Sequence, residues 1–398
     1  MNFTTLEQLS IAFHTSLSLV LLLVPLVFGL LIVRAFFQKS TGLRAFYQRV
    51  LVFPFHKTLF FFLGFLTFTV LAYLLTPTYK DHTEASFVMQ SLMQLQGAEL
   101  YTALDSVNRS SIAYGPWAYV LQSAFFAVLL PLCDKPILVS KLFSIGLLLA
   151  GLLLLYRSFL SEFSLKRSRL MVSAVLLGYF SFSSFSYLAR ADAVLLFGVS
   201  LTVFALSRVS RVARLCLASF GFALVVGSKI HGGLYCLPLL VTVLPVLQLA
   251  AVLGIAVLLA FVPFTVASVS VTHYLSLIQL FSGHAKLWGL FIRNLALYAL
   301  WTLPITVLMY PFSMSKKQYQ LGALLLCSAL VVVLGSKEGA GPHHLLPFVP
   351  VWVLLFSRYS DTVSTQTKQG LILALCVSFT GVQLFFLSLS SQERVLEW

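Results

Sequence analysis

The chain has 398 residues, of which 59% are hydrophobic and only 10% are charged, with a mean hydropathy of +0.96. That balance excludes an ordinary soluble domain, which carries about 25% charged residues. The formal net charge of +14 would suit a nucleic-acid partner, but the basic residues gather in short loops between apolar runs. This is the habit of cytoplasmic loops in membrane proteins, so no nucleic acid is expected.

The runs Leu17–Phe37, Leu249–Val271 and Gly370–Ser390 are each long enough, at about 20 residues, to cross the hydrocarbon layer as a helix. They do not alternate apolar with polar residues, so they are not β-barrel strands. Hydropathy marks about thirteen apolar segments, from one near residue 24 to one near residue 380. The predicted fold is all-α: a polytopic transmembrane helix bundle of about 12–13 apolar segments filling residues 1–398 as a single domain, without internal repeats. The first run lacks the short cleavable pattern of a signal peptide and reads as a permanent span. The five cysteines are scattered, with no CxxC pair, and indicate neither a disulfide framework nor a zinc site.

In chain order, Arg34, Lys39, Arg44, Arg49 and Lys57 mark the first connection as cytoplasmic. Residues 77–116 then form an outer loop with short helices, rich in acids at Asp81, Glu84, Glu99 and Asp105. Segments 117–132 and 137–156 lie between this loop and an inner basic patch at Lys166, Arg167 and Arg169, where parity requires an odd number of crossings. The first segment is short, so one of the pair is expected to be re-entrant or interfacial. Further inner patches follow at Arg208, Arg211 and Arg214, at Lys316 and Lys317, and at Arg358 and Lys368. Arg190 and Asp192, Lys229 and His231, residues 273–294 and residues 337–344 then all fall on the outer face with the acidic loop.

Several groups on that face could carry chemistry. Asp81 and Glu84, three apart, would share one side of a helix running from Glu84 to Gln96 and stopped by Gly97. A partly desolvated carboxylate there could act as a general base; equally, Asp81 caps the helix and Glu84 stabilises its first turn. In Tyr114-Gly115-Pro116-Trp117, the Gly-Pro turn opens the next helix and the aromatics suit the interface or a substrate groove. Arg190 and Asp192 could pair with each other, or Asp192 could cap the following helix. Lys229-Ile230-His231-Gly232-Gly233 and the stretch from Lys337 to His344 set cations and imidazoles beside small residues, a combination suited to phosphate. His343 and His344, as helix neighbours, should face different ways. A divalent metal stays open, but no metal ligand or other cofactor is assigned.

The order of these motifs resembles the GT-C-type membrane glycosyltransferases, which include protein O-mannosyltransferases, lipid A aminoarabinose transferases and many bacterial envelope glycosyltransferases. There a first outer loop carries an acid, here Asp81, followed by a Gly and a Tyr, here Gly97 and Tyr101, and then a Tyr-Gly-Pro turn like Tyr114-Gly115-Pro116. A later outer loop holds an acid like Asp192, and a Lys-Gly-Ala-Gly-like stretch resembles the residues after Lys337. Two features depart from the pattern: His82 stands where a second adjacent acid is common, and an extra span precedes the usual first one. The resemblance implies an inverting transfer of a sugar from a polyprenyl-phosphate donor, at the outer or periplasmic face of a bacterial inner membrane, to a glycan, lipid or protein acceptor. Asp81, Glu84 and Asp192 would be its catalytic acids. Arg190, Lys229, Lys337, His343 and His344 would bind the donor phosphate, and Lys80, Tyr101, Tyr114, Trp117 and His231 would line the substrate groove. A transporter or lipid flippase, or a polysaccharide polymerase or ligase, is the alternative; a transporter calls for repeats and for polar groups near the bilayer midplane.

Overall fold

The computed structural model describes residues 64, 67–106, 114–181, 186–208, 210–284, 286–292, 294–295, 298, 315–337 and 342–360. The runs Leu17–Phe37 and Gly370–Ser390, the basic residues from Arg34 to Lys57, Lys368, and residues 338–341 lie outside them. Among the described residues every regular element is helical, and the single extended pairing is an isolated bridge between Lys286 and Lys337.

Residues 67–75 are helical. There follow α1 (His82–Leu95), α2 (Pro116–Leu129), α3 (Pro136–Glu162), α4 (Leu165–Ser181), α5 (Asp192–Leu206) and α6 (Arg211–Ser228). Then come α7 (Gly233–Val243), α8 (Val246–Phe261), α9 (Val271–Ser282), α10 (Ser315–Leu334) and α11 (Val349–Ser360). Short 3-10 turns, Val262–Thr265 and Pro342–Phe348, extend α8 and precede α11.

Among the described residues, three helices are long and apolar enough to cross a membrane: Pro136–Glu162 with 27 residues, Arg211–Ser228 with 18, and α8 with its 3-10 extension, Val246–Thr265, with 20. At 1.5 Å per residue, α3 reaches about 40 Å, more than the hydrocarbon thickness of about 30 Å. The 14 residues of α2 reach only about 21 Å. Of the two segments in the parity problem, α3 therefore has the length to cross and α2 falls short.

The core centres on α5, which packs against α3 and α6. Nearly every one of its side chains is buried, which is why its sequence is apolar on all sides rather than on one stripe. Close approach depends on small residues. A Cβ on Gly198 of α5 would stand 2.9 Å from the Gly221 carbonyl of α6, and one on Gly221 would stand 2.6 Å from Thr202 Oγ1. Small residues at such crossings let backbones and side chains interlock, the main attraction between helices where no water is expelled. By contrast Val246, Leu247, Ile255, Leu258 and Phe261 of α8 are exposed, an apolar outer surface suited to lipid.

The charged residues of these packed helices stand toward their two ends. At one end stand the starts of α1, α3 and α5, the end of α6 and the turn before α11. At the other, Arg358 of α11 holds Glu162 at the end of α3, and Arg167 donates to the Ser357 carbonyl.

Candidate functional site

The site begins with the cap of α1. Asp81 adopts an extended backbone and its Oδ1 accepts the Glu84 N–H at 2.8 Å, while Glu84 Oε1 accepts the N–H groups of Asp81 at 3.4 Å and Lys80 at 2.8 Å. This reciprocal capping box starts the helix at His82, two residues before the expected start, and Gly97 in the left-handed region (φ 86°) follows its end. Both acids thus stabilise the helix start. They differ in what remains free. Asp81 keeps Oδ2 for Arg190, with a side chain 30% exposed, whereas Glu84 is fully buried. Its Oε2 accepts the Tyr73 hydroxyl and the Ala189 N–H. With both oxygens committed and no route to solvent, Glu84 is an anchor of the fold, and its assignment as a catalytic acid is corrected.

Arg190 and Asp192 do pair, Nε to Oδ2 at 3.3 Å. Asp192 does not cap α5: that position belongs to Ala191, and Asp192 is the first helical residue. Its carboxylate sits near the positive end of the helix dipole and receives the Lys229 ammonium at 2.7 Å. Arg190 Nη1 reaches Asp81 Oδ2 at 3.2 Å and Nη2 donates to the Tyr114 hydroxyl at 3.1 Å. The Lys229 ammonium also lies 5.5 Å from the Tyr114 ring centroid. Arg190, Asp192 and Lys229 are each at most 5% exposed. Two cations thus face two carboxylates, Asp81 and Asp192, in a chain of ion pairs whose one accessible member is Asp81. Buried ions are tolerable only when paired and hydrogen-bonded in this way.

Local chain geometry brings Lys229 to this point. α6 ends at Ser228, whose carbonyl accepts the Gly115 N–H at 2.8 Å. A Cβ on Gly115 would fall 2.2 Å from the Gly227 carbonyl, and one on Gly227 would fall 2.2 Å from Trp117 Cδ1. The Tyr114-Gly115-Pro116-Trp117 turn therefore wedges the start of α2 against the end of α6. Trp117, which donates Nε1 to the Leu259 carbonyl at 3.0 Å, packs the helices instead of lining a groove. Tyr101 is buried too. Its hydroxyl donates to the Tyr114 carbonyl at 2.7 Å and its ring meets Tyr119 and Tyr274, so it supports Tyr114 from behind. Tyr101 is therefore corrected as a groove residue on burial and hydrogen bonding, whereas Trp117 is half-buried and engaged between the helices.

The histidines form a stack beside the ion pairs. The rings of His343 and His344 lie 4.5 Å apart at 28°, and His344 meets His231 at 5.1 Å. The expectation that adjacent histidines diverge fails because they lie in a 3-10 turn and pack on each other. Desolvation, with the Lys229 charge nearby, lowers His231 to about 3, so its neutral ring shares a hydrogen bond with Tyr235 at 3.1 Å. His343 lies within electrostatic reach of Asp192, Lys229 and Arg190. No group of three or more His, Cys, Asp or Glu among the described residues is arranged to hold a metal ion. Lys337 stands apart: its ammonium donates to the carbonyls of Ser282 at 3.0 Å and Phe281 at 3.4 Å, closing the end of α9. Its ammonium is engaged there, outside the chain of ion pairs that joins Asp81, Arg190, Asp192 and Lys229.

Three residues not singled out in the sequence adjoin the cluster. Tyr73 links Glu84 with the Ala189 N–H. Tyr187 accepts the Lys80 ammonium at 3.1 Å, and that ammonium lies 5.2 Å from the Tyr187 ring centroid. Desolvation beside these rings pushes the Lys80 pKa down, and Glu84 pulls it partly back. Lys141, wholly buried in α3, donates to the carbonyls of Tyr73, Thr76 and Thr78. An ionisable residue inside an apolar helix is itself a signal of special work. No protein-family model matches the chain, and no curated protein matches it significantly.

Proposed function

We propose that this is a multi-pass membrane glycosyltransferase of the GT-C type, moving a sugar from a polyprenyl-phosphate donor to an acceptor on the outer face. The observation that carries this is the meeting of Asp81, Arg190, Asp192 and Lys229 at one end of the packed helices, with Asp81 at its accessible edge. The positive-inside bias supports the orientation. Arg208 and Arg211 stand where α5 ends and α6 begins, whereas Asp192 and Lys229 stand at the opposite ends of those helices.

Asp81 is held through Oδ1 by the α1 cap and through Oδ2 by Arg190, and because its side chain is partly exposed, unlike Glu84, its carboxylate is the group to take the proton of an acceptor hydroxyl. Departure of the lipid phosphate leaves negative charge, and Arg190 and Lys229 are fixed donors that need no rearrangement to stabilise it. Asp192 holds both cations in place. The exposed Lys80 adjoins Asp81 at the same edge, with Tyr187 buried behind it. The apolar outer faces of α3 and α8 would carry the polyprenyl chain. Ionisable groups at one end, rather than at mid-helix, weigh against the transporter alternative.

The test is a single-turnover assay on the full chain in nanodiscs, offered a panel of polyprenyl-phosphate sugars. Release of free polyprenyl phosphate from one donor class, with inversion at the sugar, is expected. A wild-type protein that consumes none of them sinks the proposal.

A further inference from the structure

Two buried charges, Lys141 and Glu84, stand behind the site, and of the two only Glu84 touches its accessible edge, through the cap it shares with Asp81. Lys141 is 0% exposed and has no carboxylate within ion-pair distance among the described residues. Its three donors go instead to the carbonyls of Tyr73, Thr76 and Thr78, at 2.8, 2.7 and 2.9 Å. These carbonyls belong to the end of the helix before α1 and the bend that follows, where no helical N–H is left to satisfy them. An ammonium has three donors and here all are used. The same bend is tied to α3 a second time, by the hydrogen bond between Tyr79 and Ser140 at 3.1 Å.

Glu84 closes the other side. One oxygen holds the N–H groups of Lys80 and Asp81; the other holds the Tyr73 hydroxyl and the Ala189 N–H. Tyr73 is the shared member, since Lys141 grips its carbonyl while Glu84 and Ala189 grip its hydroxyl. Asp81 and Arg190, the ion pair at the opening, each directly follow a residue held in this frame, Lys80 and Ala189.

We infer that Lys141, Tyr73 and Glu84 are positioning residues: a buried relay that fixes the segment ending in Asp81 against the turn carrying Arg190. Its catalytic consequence rests on the glycosyl-transfer proposal. Lys141 sets the register of the bend from within α3, Tyr73 carries it to Glu84, and Glu84 sets the spacing of the two backbone segments that present the pair.

The experiment is hydrogen–deuterium exchange of the full chain in nanodiscs, comparing wild type with Lys141→Met, Lys141→Arg and Tyr73→Phe. Lys141 hydrogen-bonds nothing in residues 187–191, so a purely local role leaves that segment unchanged. The relay predicts that Lys141→Met and Tyr73→Phe both speed exchange around Ala189 by about tenfold or more, the size expected when a hydrogen bond to a charged group is lost. Lys141→Arg, which keeps charge and donors, should restore most of the protection. On an accepted donor, Lys141→Met should lower kcat about tenfold with KM little changed, because the pair is displaced and the binding surface is not. Faster exchange confined to residues 73–78, or an equal loss in Lys141→Arg and Lys141→Met, overturns the relay. Tyr73→Phe removes a direct acceptor of the Ala189 N–H and so reads only the last link. If Lys141→Met does not fold, Lys141→Gln, which keeps a donor without the charge, decides the matter, and unchanged exchange around Ala189 in it overturns the relay. A wild type inactive on every donor removes the glycosyl-transfer proposal, and the exchange result then decides the relay alone.

Discussion

The two ends of the packed helices both join arginine to carboxylate, yet the surroundings make them different devices. At one end Arg358 meets Glu162 through two hydrogen bonds, with side chains about a quarter exposed. At the other, Arg190 and Lys229 meet Asp192 with side chains 6%, 4% and 3% exposed, and only Asp81 opens outward. Water and ions screen the first pair, and either partner can be solvated if the other is lost. At the second, removing one charge strands its partners in a medium that cannot solvate them. The same pairing is a clasp at one end and a pre-set charge array at the other.

Substitutions can sharpen that contrast. The largest effect is expected from Asp192→Ala, which leaves two buried cations with one carboxylate between them. Stability measured by detergent-titrated unfolding should drop by about 3–5 kcal/mol. Asp81→Asn comes next. It should cost roughly 10²–10⁴ in turnover, the range for a general base, while the loss in unfolding free energy stays below that of Asp192→Ala, at about 1.5–3 kcal/mol, because the partly exposed amide can still cap α1 and accept from Arg190. Tyr114→Phe takes one neutral acceptor from Arg190, and a loss of about 1.5–3 kcal/mol is expected in the same titration. Glu162→Gln should be the mildest, below about 1 kcal/mol and without effect on turnover. If Asp192→Ala and Glu162→Gln proved equally mild, the two ends would not differ as described.

Sequence revealed the local features and missed those made by packing. The cap at Asp81, the stop at Gly97 and Pro116 opening α2 are signals carried within a few residues, and each was legible. The rarity of charge in apolar surroundings also pointed to Arg190, Asp192 and Lys229, and the short spacing to the Arg190–Asp192 pair, but not to the partners from other elements, Asp81 for Arg190 and Asp192 for Lys229. Those depend on how α5 crosses α6 through Gly198 and Gly221, and no local pattern encodes that crossing. Lys337 shows the limit from the other side. A basic residue at an outer helix end reads the same whether it faces a phosphate or, as here, two carbonyls of α9. Glu84 and Tyr101 misled for a related reason, since burial is a property of the assembled helices. Lys141 was detectable as a lone cation within an apolar helix, but its three carbonyl acceptors lie more than sixty residues earlier.

The measurement that bears most directly on the whole account sets one carboxylate from each end against the other: donor cleavage in a single turnover by wild type, Asp81→Asn and Glu162→Gln, at matched thermal stability. Cleavage by wild type and Glu162→Gln at the same rate, with Asp81→Asn slower by at least about a hundredfold, is the predicted result. Equal rates for all three would contradict it.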